Sequence, residues 1–230
     1  MKDVFIYQAI RSPRARAKEN GGLHDLLPQE VLQQLYQHLV ERTGLDPAVV
    51  GEVILGCVTQ HGEQAGNIAK ASVMFAGWPS SVGGMTVNRF CSSGIDAIGL
   101  GALKIAAGQE QAIVAGGVEM MSRVPMLADQ AKVFMDPAFA ARCQMLMMGS
   151  GADLIASLNN VTRETADMIA VQSQQRAAHA RDNGYFKSIV PVYNPVKDIT
   201  VTQDECIRAD ATVAALGELA PAFAGIGAKG

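Results

Sequence analysis

Cys91 stands where a predicted strand turns into a predicted helix, which is a position suited to nucleophilic chemistry. The β-branched residues Thr86 and Val87 lead into the cysteine, and an apolar helical pattern follows it. A helix N-terminus has unpaired N–H groups and partial positive charge, so it favours a thiolate there. Such a thiolate can attack a carbonyl carbon and hold an acyl group as a thioester. The alternative is a small apolar residue packed at the end of a buried strand.

Three nearby residues are predicted to support this turn. Asn88 lies three residues before Cys91, and we expect it to tie down the turn by hydrogen bonds rather than to touch a substrate. Gly117 and Glu119 follow the next apolar stretch, where glycine permits close approach of the backbone. One interpretation is a floor beneath Cys91 in which Glu119 holds the local network. The other is a plain tight turn, and structural support is favoured over direct catalysis.

The composition limits the function classes. The chain has 230 residues, 49% of them hydrophobic, and a net charge of −3 without a basic block, which argues against nucleic acid or an anionic membrane as the main partner. The four cysteines, at 57, 91, 143 and 206, show no Cys-x-x-Cys spacing, so reduced thiols in a cytoplasmic protein are expected. Neither the histidines nor the cysteines have the spacing of a metal site, and neither a signal peptide nor a membrane helix is expected.

Alternating strand and helix patterns predict an α/β fold with a largely parallel mixed sheet. Strands are predicted at 4–10, 52–58, 84–90 and 111–115, and helices at 28–43, 65–76, 93–107 and from 162 to about 183. After residue 125 the pattern changes to short, methionine-rich helical pieces. We therefore predict an α/β core over 1–122 and an α-rich excursion over 123–230.

Four segments together resemble the thiolase family, the acyl-CoA C-acyltransferases. The run Thr-Val-Asn-Arg-Phe-Cys-Ser-Ser-Gly-Ile-Asp-Ala-Ile at 86–98 resembles the family's nucleophile segment. The run Ala-Gly-Gly-Val-Glu-Met-Met-Ser-Arg-Val-Pro at 115–125 resembles its glycine-rich turn. The segments at 62–70 and 3–13 are similar to its helix entry and its first strand. The resemblance implies a layered α/β/α half of a thiolase, in which 123–230 covers the active site and contacts CoA.

The resemblance also implies roles for individual residues. Cys91 would be the acyl-carrying nucleophile, and coenzyme A thioesters would be substrates, with no separate cofactor. Met148, Arg208 and Phe223 match positions that contact CoA in the family. Core packing for Met148 and a solvated surface position for Arg208 are the alternatives. Ala215 and Ala220 stand where the family often has a serine and an arginine, which weakens the assignment of the CoA site.

Part of the family's active site has no counterpart in this sequence. Family members have two similar halves, and the second half contributes a Gly-His-Pro histidine and a Cys-x-Gly cysteine. Neither setting occurs here, so we expect little or no turnover from this chain alone. A homodimer or homotetramer and a missing C-terminal half are the partners implied. Two rival hypotheses are a ketosynthase-like condensing enzyme and a non-catalytic or split-gene subunit of a thiolase assembly. Acyl-chain length and direction stay open.

Overall fold

The structure is a computed structural model and describes residues 2–223. The chain forms two compact units, and residues 188–206 belong with the first of them. The first unit comprises residues 1–129 and 188–206, and the second comprises 130–187 and 207–230. The first boundary between the two units lies after residue 129, whereas the predicted boundary is at residue 122. The sequence pattern missed the return of 188–206 because short strands within a polar stretch give little periodic signal.

Eight α-helices and five strands are present among residues 2–223. The helices are α1 Pro28–Thr43, α2 Ile68–Phe75, α3 Ser93–Ala106, α4 Lys132–Met135, α5 Pro137–Arg142, α6 Met148–Leu158, α7 Arg163–Asp182 and α8 Val213–Gly217. The strands are β1 Glu52–Gly56, β2 Gly83–Val87, β3 Ile113–Gly117, β4 Val192–Asn194 and β5 Ile199–Val201. The predicted pieces at 28–43, 93–107 and 162–183 are confirmed to within a residue or two.

The local chemistry of the sequence sets the ends of the long helices. Pro28 occupies the first turn of α1, and Gly44 ends this helix with a φ of 67° that favours glycine. The hydroxyl of Thr162 accepts a hydrogen bond from the N–H of Thr165 and so caps α7. Gly184, with a φ of 67°, follows the end of that helix. Local turn and capping residues therefore set the ends of α1 and α7.

The first unit contains a parallel three-stranded sheet in the order β2-β1-β3. Val53 and Leu55 of β1 face a core that α1 and α2 cover, while Gly56 faces α3. The sheet therefore lies between two helical layers, as the predicted layered α/β/α half requires. The main core on the α1 and α2 side comprises Leu32, Tyr36, Val50, Val53, Leu55, Cys57, Ile68, Ala69, Val73 and Val82. A second cluster lies around Leu23, Leu26, Val31, Val192 and Val201, next to the antiparallel β4–β5 pair.

The predicted N-terminal strand at 4–10 is wrong as a buried strand. Within the described chain, residues 3–10 make no backbone-to-backbone hydrogen bond, although bonds at Lys2 and Arg11 hold the two ends of the segment. Phe5, Ile6 and Tyr7 are 67%, 79% and 89% exposed. The apolar pattern was read correctly, but a strand also needs a paired neighbour.

A cleft of about 610 Å³ separates this N-terminal segment from β3, one of the two edge strands of the sheet. Its walls include Leu35 and Leu39 of α1 and Ile98 and Ile105 of α3. Both helical layers therefore contribute walls to the cleft, and an edge of β3 faces it. An exposed edge of this kind is a template for pairing with another strand.

The second unit is built from helices α4 to α8 among the residues described. Arg163 at the start of α7 donates from its guanidinium to the carbonyl oxygens of Leu216 and Leu219, next to α8. No helix in residues 2–223 combines the length and the apolar character needed to cross a bilayer.

Candidate active site

Cys91 lies between the end of β2 and the start of α3, as the sequence predicts. Its side chain is exposed, and the first helical residue is Ser93. Phe90, immediately before it, has a φ of 50°, which is in the left-handed region that bulky residues rarely adopt. A bulky residue persists in such a conformation where neighbouring contacts hold it, and such residues cluster at active sites. The thiol therefore lies at the N-terminus of α3, a helix of 14 residues.

Two polar side chains hold this turn. Asn88 accepts a hydrogen bond from the N–H of Phe90 at 2.9 Å and donates its amide to the carbonyl oxygen of Val58 at 3.1 Å. Ser93 accepts from the N–H of Arg89 at 2.8 Å and donates to the carbonyl oxygen of Phe90 at 2.6 Å. The chain on both sides of Cys91 is therefore fixed by side-chain-to-backbone bonds, and Asn88 makes the contacts expected of a tether.

Two glycines let the helix approach the sheet. A Cβ atom on Gly56 would lie 2.6 Å from the backbone nitrogen of Gly94, so any side chain there would push α3 outward. A Cβ on Gly117 would lie 3.1 Å from the carbonyl oxygen of Gly56 and 3.7 Å from the Cα of Gly94. Gly117 thus packs against the first turn of α3, and the floor beneath Cys91 stays a prediction.

Glu119 binds the loop that follows β1. Its carboxylate accepts hydrogen bonds from the N–H groups of Val58 and Thr59 at 2.9 and 3.3 Å. The amide of Gln64 donates to the same carboxylate at 2.7 Å. The structure therefore brings Asn88 and Glu119 to the same residue, where Asn88 contacts the carbonyl oxygen of Val58 and Glu119 contacts its N–H.

The other cysteines of the chain differ sharply from Cys91 or lie outside the site. Burial, reinforced by the negative charge of Glu119, raises the pKa of the Cys57 thiol to about 12. Cys57 is 1% exposed and is therefore an inert core residue. Cys143 and Cys206 are exposed, and neither forms a disulfide.

The predicted CoA contacts all lie in the second unit. Met148 is the first residue of α6 and is 77% exposed. The ring of Phe223 lies so close to Gly149 that a Cβ atom on Gly149 would overlap it. Arg208 has an exposed side chain, and its backbone N–H donates to the side chain of Gln174 at 2.7 Å. The structure thus brings Phe223 next to the residue after Met148, while Arg208 lies on the segment between β5 and α8.

Comparison with known proteins places this geometry in a family. The sequence model of the thiolase N-terminal domain matches residues 4–228. The chain belongs to the thiolase family. Among the thiolases that it resembles, β-ketoadipyl-CoA thiolase of Pseudomonas aeruginosa is 38% identical, over 96% of this chain and 59% of that protein. The 3-ketoacyl-CoA thiolase of Bacillus subtilis is 35% identical, over 97% of this chain and 60% of that protein.

A solved thiolase-fold structure is also similar. The crystal structure of the Bacillus anthracis acetyl-CoA acetyltransferase matches with a TM-score of 0.80 and 34% identity. The match covers 94% of this chain and 57% of that one. The predicted fold class is therefore confirmed as a thiolase α/β fold. The chain spans somewhat over half the length of the thiolases that it matches.

Three residues that contact the turn at Cys91 or its supports were missed as site residues. Gln64 is completely buried, and Gly56 and Ser93 form the contact between β1 and α3. No local pattern marked Gln64, because its burial depends on partners such as Glu119, 55 positions away. Glycine at the end of an apolar strand was a signal for Gly56. In residues 2–223, no cluster of three or more His, Cys, Asp or Glu side chains is arranged to hold a metal ion.

Proposed function

We propose that this chain is the nucleophile-bearing half of an acyl-CoA C-acyltransferase of the thiolase type. The observation that carries the proposal is the exposed Cys91 thiol at the start of α3, in a turn fixed by Asn88 and Ser93. The partial positive charge of the helix N-terminus favours the thiolate at this point. A Cys nucleophile suits acyl transfer because a thioester is a reactive acyl donor and a thiolate is a good leaving group.

In the thiolytic direction, the Cys91 thiolate attacks the 3-carbonyl carbon of a 3-ketoacyl-CoA and forms a C–S bond. The tetrahedral oxyanion collapses, the bond between C2 and C3 breaks, and acetyl-CoA leaves as an enolate that takes up one proton. Free CoA then loses its thiol proton and attacks the acyl-Cys91 carbonyl, and the Cys91 thiolate departs. The backbone N–H of Cys91 is proposed to stabilise the oxyanions. The reverse sequence condenses two acetyl-CoA molecules.

Substrate binding is assigned to the second unit. Met148 and Phe223 supply apolar surface suited to the pantetheine chain, and methionine adapts its shape to such flexible ligands. Arg208 supplies a guanidinium that suits phosphate and adenine recognition. Coenzyme A thioesters act as substrates, and no further cofactor is part of the proposal. Four free cysteines support a reducing, cytoplasmic location.

The proton transfers need groups from outside this chain. The resemblance assigns them to a histidine and a cysteine of the second half of a thiolase, and this chain spans only 59% of the P. aeruginosa relative. General acid–base help is worth about 10²- to 10⁴-fold in rate, so little turnover is expected without them. We propose that further polypeptide completes the site and that the cleft beside β3 is one of its contacts.

A homo-oligomer is also proposed, with the nucleophile region at its interface. Ile95 and Leu103 of α3 are 71% and 63% exposed, and Phe90 of the turn is 51% exposed. Apolar side chains grouped around one turn and helix mark an interaction surface. Sedimentation equilibrium on the chain and on an Ile95→Lys variant tests this, and a monomer at all concentrations opposes it.

Labelling and acyl-transfer measurements test the nucleophile. Iodoacetamide at neutral pH should alkylate Cys91 faster than the exposed Cys143 and Cys206 of the same molecule. Acetyl-CoA should leave an acetyl group on the peptide that contains residue 91, and Cys91→Ala should abolish that adduct. If Cys91 reacts no faster than the other two and takes no acetyl group, the chain is better explained as a non-catalytic subunit.

Turnover and complementation test the need for a second half. The chain alone should cleave acetoacetyl-CoA at a negligible rate, and adding the separately expressed C-terminal part of the P. aeruginosa thiolase should raise that rate. Tyr7→Lys, which alters an exposed wall of the cleft, should weaken the gain without changing the labelling of Cys91. Full cleavage by the chain alone, or no gain on mixing, contradicts the proposal for a completing half.

A further inference from the structure

Gln64 is the most completely bonded polar side chain near the nucleophile. It is 0% exposed, and its amide nitrogen donates to Glu119 at 2.7 Å and to the carbonyl oxygen of Thr59 at 2.9 Å. Its amide oxygen accepts from the N–H of Met120 at 2.5 Å. Gln64 thus connects the loop after β1 with the turn after β3. Because a buried amide keeps full hydrogen-bonding strength away from water, this connection is rigid.

From Gln64, hydrogen bonds continue without interruption to the residue before the nucleophile. Glu119, held by Gln64, accepts from the N–H of Val58, and the carbonyl oxygen of Val58 accepts from Asn88. Asn88 in turn accepts from the N–H of Phe90, whose φ of 50° sets the direction of the chain into position 91. Each link is a direct bond of 3.1 Å or less.

We propose that Gln64 is a positioning residue for Cys91, acting through Glu119 and Asn88. This inference deepens the proposed function, since it assigns a residue that orients the same nucleophile. An amide is suited to the role because its donor side matches the carboxylate of Glu119 and its acceptor side matches the N–H of Met120. The bond to the carboxylate is charge-assisted and therefore among the stronger links.

Removing the amide should loosen the turn from a distance. In Gln64→Leu, the half-buried N–H of Met120 loses its buried partner, which is costly. The exposed carboxylate of Glu119 loses the bond that ties it to Gln64 and can bond water instead. Glu119 is then free to leave Val58, and Asn88 loses its fixed anchor. Cys91 stays exposed, but the direction of its side chain at the N-terminus of α3 is no longer fixed.

The chain's own cysteines provide a complete set of reporters. Alkylation by iodoacetamide is followed at each cysteine by peptide mass spectrometry in the full chain. Cys206 and Cys143, which lies at the C-terminal end of α5, are exposed references for thiol reactivity. Cys57 is buried, and the amide of Gln64 contacts its sulfur at 3.6 Å, so labelling of Cys57 reports opening of the core around Gln64. In Gln64→Leu, the rate at Cys91 relative to Cys143 should fall severalfold, because a helix N-terminus stabilises an anion to that extent and a loosened turn no longer holds the sulfur there. Cys57 should stay protected.

A polarity swap provides the rescue. Gln64→Glu alone places two carboxylates together and should lower the relative rate at Cys91, whereas Gln64→Glu combined with Glu119→Gln restores an amide-to-carboxylate bond. The double variant should recover part of the lost rate, because the bond between positions 64 and 119 returns while the bond to the carbonyl oxygen of Thr59 does not. The deviation from additivity measures the coupling. Gln174→Leu, in the second unit, is the control and should leave the ratio unchanged.

The outcomes separate this inference from the proposed function. An unchanged ratio of Cys91 to Cys143 in Gln64→Leu overturns the positioning role while the nucleophile proposal stands. A lowered ratio in which Cys57 is also labelled, with no rescue by the swap, makes Gln64 a packing residue and also overturns it. If Cys91 is no faster than Cys143 in the unsubstituted chain, both proposals fall.

Discussion

Gly56 at the end of β1 lies against Ser93 in the first turn of α3, and a Cβ atom on Gly56 would come within 2.7 Å of the Ser93 Cβ. The depth at which α3 docks on the sheet is therefore set by the absence of a side chain at one position. Because Cys91 is two residues before Ser93, the same contact sets where the thiol stands relative to β1 and β3.

Gly56→Ala should destabilise the chain and disturb the turn. Overpacking of this kind costs about 1–3 kcal/mol, because the added carbon meets backbone atoms that cannot rotate away. The free energy of unfolding in urea measures the loss, and the rate of Cys91 alkylation should fall with it.

Gly99→Ala is the matched control for that substitution. Gly99 is an exposed residue of the same helix, and a Cβ there meets nothing within 4 Å. Alanine is a better helix former than glycine by up to about 1 kcal/mol, so this variant should be as stable as the unsubstituted chain or more stable. Equal stability losses in the two variants would show that the contact with Ser93 is not the cause.

The contributions of the two hydrogen bonds of Asn88 should be separable by substitution. Asn88→Asp keeps an acceptor for the N–H of Phe90 but removes the donor to Val58, whereas Asn88→Ala removes both. Each lost bond is worth about 1 kcal/mol, so the loss of unfolding free energy should be larger for alanine. The rate of Cys91 labelling should follow the same order. Equal labelling rates in the two variants would mean that the bond to Phe90 does not orient the turn.

Burial of Cys57 should make stability fall at alkaline pH. The folded thiol has a pKa of about 12 against 9.0 for an unperturbed cysteine. The folded state therefore retains the proton of this thiol to higher pH than the unfolded state does. The contribution of Cys57 to stability is constant below pH 9 and declines as the pH rises from 9 towards 12. Urea unfolding measured over this range should show the decline. Cys57→Ala should reduce it, and Cys143→Ala should not.

The ion pair between Arg11 and Asp204 should make stability fall at acidic pH. The hydrogen bond from Arg11 holds the pKa of Asp204 below its usual value of 3.8. A depressed folded pKa contributes stability above pH 3.8, and that contribution is lost as the pH falls through the folded value. Asp204→Asn should lower the free energy of unfolding by about 2 kcal/mol at neutral pH, because a hydrogen bond to a charged group is lost. It should also weaken the dependence of that free energy on pH in the acidic range.

Asp182→Asn provides the comparison for the acid limb. Asp182 also pairs with an arginine, Arg181, but its side chain is 61% exposed. Solvent screens such a pair, so its removal should change the unfolding free energy very little. A loss of unfolding free energy as large as that of Asp204→Asn would show that burial does not explain the contribution of the pair between Arg11 and Asp204.

Much of the first unit could be predicted from local signals. The proline and glycine at the ends of α1 and the Thr162 cap of α7 act within one helical turn, so the sequence contains the whole cause. The same holds for the cysteine at the strand-to-helix turn, because residues 86–98 define the strand, the turn and the helix together.

Other features depended on residues far apart in the chain. Gln64 reaches Glu119 across 55 positions, and no periodicity reveals that a polar side chain will be buried between two turns. The division of the chain was likewise set by packing, since residues 188–206 return to the first unit.

The amino-acid sequence by itself indicated the candidate nucleophile, the family and the order of helices and strands from α1 to β3, because these depend on neighbouring residues. Tertiary structure alone decided that segment 4–10 stays unpaired, that Gly56 admits α3 to the sheet, and that Gln64 is joined to the turn at Cys91. The physical reason is that pairing, close approach and buried hydrogen bonding each need a second partner from elsewhere in the chain, and local pattern does not specify where that partner will lie.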